Sequence, residues 1–326
     1  MIVIWIGFVL AILFFLALDL GVFNREAEVM RIRVALAWTG VWITLAMAFN
    51  VAVYFMYEHH WLGIGEHAGG DLSGKQAALQ YFTGYVVEKS LSLDNVFVIA
   101  LIFSYFKVPQ RYQHRVLFWG VLGALVLRGA MIGAGALAIQ RFDWIVYVFG
   151  ALLLYSAARM LRAGHDDIEP DKNPVVRLVR RLYPVSRDFD GHHFTTHADG
   201  RRALTPLFVC LIVVETSDVL FAVDSIPAIF GVTRDPFLVF TSNVFAILGL
   251  RTLYFALAGL MDRFRYLKLS LVLVLAFVGV KMIISHHLHI PTWISLCVIV
   301  GVLGGGVIAS LFGSPHAHGS SADAAG

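Results

Sequence analysis

Nine long apolar runs decide what this chain can fold into: Ile2–Leu20, Val34–Tyr57, Ala77–Phe106, Leu117–Ile139, Trp144–Met160, Pro206–Phe230, Phe237–Met261, Leu267–Ser285 and Trp293–Phe312. A run of about 20 apolar residues crosses the hydrocarbon core of a bilayer as a helix. These runs are apolar nearly all round, which suits lipid rather than the interior of a soluble domain. Only 14 % of the 326 residues are charged, against about a quarter in soluble proteins. The reading is an all-α, polytopic transmembrane bundle of about nine spans over residues 1–312, with a small-residue tail at 313–326 expected to be disordered. The first run has no basic residue before it and no small-residue cleavage pattern after it, so it is expected to remain as a span.

Basic residues set the orientation. They crowd the connections after runs 1, 3, 5 and 7 (Arg25, Arg31, Arg33; Lys107, Arg111, Arg115; Arg162 through Arg202; Arg263, Arg265, Lys268), while the other side has Lys75, Arg141 and Arg234. Cytoplasmic connections carry the excess of Lys and Arg, so the N-terminus is expected outside and the C-terminus in the cytoplasm. The net charge of +3 follows from this topology, and no nucleic-acid partner is expected. The polar stretch 161–203, with His165, Asp166, Asp167, Asp188, Asp190, His192, His193 and His197, reads as a solvated cytoplasmic connector, with docking of a cytoplasmic partner or metal delivery as the sharper alternative. His59, His60, His67, His286, His287 and His289 fall in outside loops and read as solvated.

An internal repeat orders the middle of the chain. Run 3 contains Glu88, five residues, then Asp94-Asn95, and run 6 contains Asp218, five residues, then Asp224-Ser225. The next runs carry one arginine each after similar apolar residues, Arg128 and Arg251. The third pair carries Arg159-Met160 and Lys281-Met282. Three matches in order argue for a duplicated three-helix unit, about 77–160 and about 206–285. A unit with an odd number of spans inserts its two copies in opposite directions, as in transporters whose sites lie where inverted copies meet. Leu18-Asp19-Leu20-Gly21 in run 1 echoes the same pattern.

Five carboxylates lie well inside the runs: Glu88, Asp94, Glu215, Asp218 and Asp224. Each ionised carboxylate at a helix centre costs roughly 2.5–3.5 kcal/mol on insertion scales, so five of them are paired or functional. Lys89, Arg128, Arg251 and Lys281 are the bases available to balance them. At 100° per residue Glu88, Ser92 and Asn95 share a face, with Asp94 about 120° away; Glu215, Asp218, Ala222 and Ser225 share another, with Asp224 off it. Pro227 cannot donate its amide to Val223, so the helix is expected to kink or open near Asp224-Ser225-Ile226. Freed carbonyls beside Asp94, Asn95, Asp224 and Ser225, with Asn243 nearby, would make an oxygen-lined cage. Oxygen ligands suit Mn²⁺, Ca²⁺ or Mg²⁺ over zinc or copper. No prosthetic group is expected; the ligand is a transported divalent cation. No HExxH or Ser/His arrangement for hydrolysis is present, so an enzyme is not expected.

The segments Glu88–Phe103 (EKSLSLDNVFVIALIF) and Glu215–Phe230 (ETSDVLFAVDSIPAIF) closely resemble the TerC family of integral membrane proteins, nearest its alkaline-inducible branch, as do Ala17–Phe23, Thr241–Leu260 and Gly279–Ile283. The resemblance implies a multi-pass protein of the bacterial cytoplasmic membrane, related to the LysE-type exporter superfamily, with manganese efflux as the leading activity. It carries over Glu88, Asp94, Asn95, Glu215, Asp218, Asp224 and Ser225 as metal ligands. Tellurium resistance, the family's namesake trait, does not follow from the residues, because carboxylates repel the tellurite anion. The alternatives are Ca²⁺/H⁺ exchange and a stress-response scaffold docking cytoplasmic partners through residues 161–203.

Overall fold

A computed structural model describes residues 2–23, 32–64, 72–162, 173–186, 188–198, 201–257, 266–285, 288 and 290–312. The Asp19 side chain, His67, His165 to Asp167, His286, His287, His289 and the tail 313–326 lie outside the described residues. The helices are α1 (Ile2–Phe23), α2 (Ile32–Glu58), α3 (Gly74–Tyr105), α4 (Gln110–Arg141), α5 (Ile145–Arg162), α6 (Pro174–Leu182), α7 (Pro206–Phe230), α8 (Pro236–Ile247), α9 (Leu250–Leu257), α10 (Leu267–Ile284) and α11 (Thr292–Phe312). One antiparallel hairpin, β1 (Thr195–Ala198) with β2 (Arg201–Leu204), precedes α7. Among the described residues, six helices are long and apolar enough to cross a membrane, and the bent pair α8–α9 makes up to seven. The protein is an all-α polytopic membrane protein. Many large apolar side chains are exposed, among them Phe14, Val51, Val126, Leu137 and Leu273, as a lipid-facing surface requires.

Local sequence explains the helix starts. Ser73 and Gln76 form a reciprocal capping box at α3, which satisfies two backbone donors that a helix start leaves orphaned. Pro206 and Pro236 sit in the first turns of α7 and α8, where a missing amide costs nothing. The Asp235 carboxylate caps α8 by accepting from the amides of Phe237 (2.8 Å) and Leu238 (3.3 Å).

The backbone break falls elsewhere than expected. α7 stays helical through Asp224, Ser225 and Pro227 to Phe230. Pro227 lies within a turn of the helix end, so the hydrogen bond it removes is cheap to lose there, and Ile226, Ala228, Ile229 and Phe230 are buried around it. The seventh run is the one that breaks, into α8 and α9 with a 40° bend. Gly249 at the joint has φ +81°, and a Cβ there would come within 2.7 Å of the Trp42 ring. The Lys89 ammonium donates to the Ala246 carbonyl, at 3.2 Å, near the end of α8.

Packing exchanges partners between the two halves: α3 lies on α8, α7 on α4, α3 on α7, and α5 on α10. Gly84 of α3 meets Ile229 of α7 and Ser242 of α8, and Asn95 meets Asp218 further along, so α3 and α7 run antiparallel. The aromatic cluster of Trp5, Phe8, Phe49, Phe237, Phe240 and Phe245 ties α1 and α2 to α8. The connector after α5 is partly folded. Asn173 caps α6 and donates to Thr216 of α7 at 2.8 Å, and the Arg115 guanidinium lies over the Phe194 ring.

Candidate functional site

Arg128 stands at the crossing of α3, α4 and α7, with its side chain 2 % exposed. Its Nε and Nη2 donate to Asp218 Oδ2 (3.0 Å) and Oδ1 (2.8 Å). Its Nη1 donates to Glu88 Oε1 and to Ser225 Oγ, the latter at 3.2 Å. The planar fork of a guanidinium matches a carboxylate with two parallel bonds, and here one fork joins acids from two helices. Glu88 is fully buried, and the Asp218 side chain is 14 % exposed. Two carboxyl groups against one guanidinium give the cluster one more acid than base.

Oxygens without partners surround this cluster. Among the described residues, Glu88 Oε2, Ser92 Oγ and Asn95 Oδ1 are buried and accept no hydrogen bond. The Asn95 amide nitrogen donates to Asp218 Oδ1 at 3.5 Å. Ser92, Asn95, Ser217 and Asp218 line a cavity of about 20 Å³, otherwise walled by apolar residues including Ile99, Leu117, Val214, Phe221 and Leu250. A polar space holds one water-sized particle at about 10–15 Å³. Buried polar atoms left unpaired are costly, so such a group invites a ligand.

The remaining sequence-nominated residues are spread around this centre. Asp224 and Asp94 point away from it, as the helical angles require. Asp224 accepts from Ser156 Oγ at 2.5 Å and faces Arg159 at 3.8 Å, both on α5. Asp94 is half-buried, and the opposing charge acting on it is Lys268 at the start of α10. Glu215, with Oε2 buried and unpaired, lies against Gly123 of α4, where any Cβ would collide with its carboxylate. The structure therefore joins Glu88, Arg128, Asp218, Asn95 and Ser225, keeps Glu215 one turn away on α7 within reach of the Asp218 charge, and leaves Asp94 and Asp224 in separate surroundings. Among the described residues no three Asp, Glu, His or Cys side chains gather closely enough to hold a metal; Arg128 occupies the space between the two central acids.

Asn243 of α8 is buried, with neither atom of its amide partnered. Arg251 is buried in α9, where its charge acts on His114 of α4. Lys281 is buried at the far end of α10 and pairs with no acid among the described residues; it lines a larger cavity of about 340 Å³ with Gln80, Thr233, Arg234, Ser285 and Thr292. Sequence reasoning missed Ser156 as a partner of Asp224, Ser217 in the cavity wall and Gly123 beside Glu215. The only local signal was their small size inside apolar runs. Cys210, buried in α7, and Cys297, exposed in α11, are unpaired thiols.

The TerC integral membrane protein family matches residues 73–317, from the cap of α3 through α11. The membrane protein STKORF319 of Myxococcus xanthus is 48 % identical over 320 residues, covering 98 % of this chain and 95 % of that protein. Alx of Escherichia coli (strain K12), described as a candidate membrane-bound redox modulator, is 47 % identical over 300 residues, covering 92 % of this chain and 91 % of that protein. A membrane protein of Rickettsia bellii is 37 % identical over 307 residues, covering 94 % of this chain and 96 % of that protein. No solved structure matches the chain. With the acidic segments of α3 and α7 inside the matched region, this chain belongs to the TerC family of integral membrane proteins.

Proposed function

We propose that this protein exports a divalent metal cation, Mn²⁺ foremost, across the bacterial cytoplasmic membrane. The observation that carries the reading is the cavity of about 20 Å³ lined by Asp218, Asn95 and Ser92, where Asn95 Oδ1 and Ser92 Oγ are unpaired. Carboxylate, amide and hydroxyl oxygens at one small space suit a hard cation stripped of most of its water. In this reading Glu88 and Asp218 are the anionic ligands, with Asn95, Ser92 and Ser225 supplying neutral oxygens. Asp94, Asp224 and Glu215 are secondary stations along the route.

The transport mechanism is alternating access between two inverted halves, α3–α5 and α7–α10, within a nine-span topology that puts the N-terminus outside. The exchanged packing of α3 on α8 and α7 on α4 supports it. So does the break at Gly249, since interrupted helices near the midplane frame transporter sites. Protons returning through the same acids are the simplest coupling, because metal and proton compete for carboxylates. A scaffold reading has one observation in its favour: α6 folds against α7 and leaves Leu178, Leu182 and Tyr183 exposed on the connector.

Equilibrium binding separates the two. Purified full-length protein should bind Mn²⁺ and Ca²⁺, Asp218→Asn should weaken that binding by about tenfold or more, and removal of α6 should leave it intact. Identical binding by wild type and Asp218→Asn removes the site assignment.

A further inference from the structure

Arg128 does to Glu88 and Asp218 what a bound metal ion would do: it bridges carboxylates from two different helices and adds a contact to Ser225. We propose that Arg128 is a tethered competitor for the cargo, and that its displacement makes the site selective for divalent over monovalent cations. The proposal rests on the cation-transport reading above.

The guanidinium brings a single positive charge but spreads four directed hydrogen bonds over three side chains, in surroundings closed to water. Hydrogen bonds to charged groups are the strong ones in proteins, and Arg makes them with a rigid planar fork. A sodium or potassium ion that replaced it would gain no charge and would lose that geometry. A divalent ion doubles the attraction to each carboxylate at equal distance and can also recruit the unpaired Glu88 Oε2, Asn95 Oδ1 and Ser92 Oγ. The cluster's second carboxyl group gives the divalent ion an acid that the single guanidinium charge does not balance. Because α4 rather than α3 or α7 carries the arginine, cargo binding trades a contact between α4 and the two acidic helices for one between the acidic helices alone. Binding is thereby linked to helix packing, α4 being the helix that α7 lies on. An arginine that only glued the helices together would instead have to stay paired while the cation bound.

The test is Mn²⁺ binding to full-length protein in detergent, read by the electron paramagnetic resonance of free Mn²⁺, for wild type, Arg128→Ala and Arg128→Lys. Removing the tethered cation is expected to tighten Mn²⁺ binding about tenfold or more. It is also expected to make that binding sensitive to millimolar Na⁺ and to free ethylguanidinium, neither of which displaces Mn²⁺ from the wild type. Arg128→Lys keeps the charge and loses the fork, so it falls between the two and decides the matter if Arg128→Ala does not fold. Binding no tighter in the folded variants, or variants as indifferent to Na⁺ and ethylguanidinium as the wild type, overturns the tethered-competitor proposal alone. Absence of Mn²⁺ and Ca²⁺ binding in wild type and variants alike overturns the cation-site reading, and the proposal with it.

Discussion

The buried triad makes a sharp prediction about stability. Arg128 faces two carboxylates, so neutralising one of them still leaves a paired ion. Glu88→Gln keeps both bonds to Asp218, and Asp218→Asn keeps the bond to Glu88. Each single change loses charge-assisted hydrogen bonds but leaves Arg128 one acid partner, so each is expected to cost no more than about 1 kcal/mol. The double variant leaves a guanidinium 2 % exposed with only the Ser225 hydroxyl and two amides for company. Breaking a buried pair in that way costs about 3–5 kcal/mol. The two substitutions should therefore be non-additive by about 1–3 kcal/mol, in the range seen for residues that share a network. Unfolding of the purified protein in mixed detergent micelles, followed by circular dichroism across the four members of the cycle, measures this. Additive energies, or a single variant as unstable as the double, would refute the account of one arginine serving both acids.

Two further predictions concern the frame around the site. Gly249→Ala forces a side chain into the left-handed region and against Trp42, which should cost about 2–4 kcal/mol from backbone strain and overpacking together; a loss under about 0.5 kcal/mol in the same assay would place the break elsewhere. Asp235 is pushed above the usual carboxylate range, first by burial, although Tyr57 and two backbone amides favour its charged form. The folded protein then keeps that proton to a higher pH than the unfolded chain, so stability falls as pH rises from the ordinary Asp value through the raised one. Asp235→Asn, which can still cap α8, should flatten that fall in a pH series of melting temperatures, whereas an unchanged slope would mean that Asp235 titrates normally.

Much of the bundle was legible because lipid imposes it: a helix lies in each of the nine apolar runs among the described residues, and six or seven of these are long and apolar enough to cross a membrane. The 100° rule also separated Asp94 from Glu88 and Asp224 from Asp218 correctly. Pairing was not legible. Four bases were available, and nothing in their spacing said that Arg128 alone would reach both Glu88 and Asp218, because that depends on how α3, α4 and α7 cross. The break was misplaced for a similar reason. Pro227 advertises a lost hydrogen bond, yet its position near the helix end makes the loss tolerable. At Gly249 the backbone takes a positive φ where Trp42 of α2 leaves no room for a Cβ, and Lys89 of α3 holds the carbonyl end of α8, contacts that no local pattern announces.

The most direct test of the central claim is ⁵⁴Mn²⁺ flux into proteoliposomes containing wild type, Glu88→Gln or Asp218→Asn at matched amounts of folded protein. The account predicts wild-type accumulation and a fall of about tenfold or more in both variants, the loss expected when an ion forfeits one of two buried anionic ligands. Equal Mn²⁺ flux in all three, or none above protein-free liposomes, would contradict it.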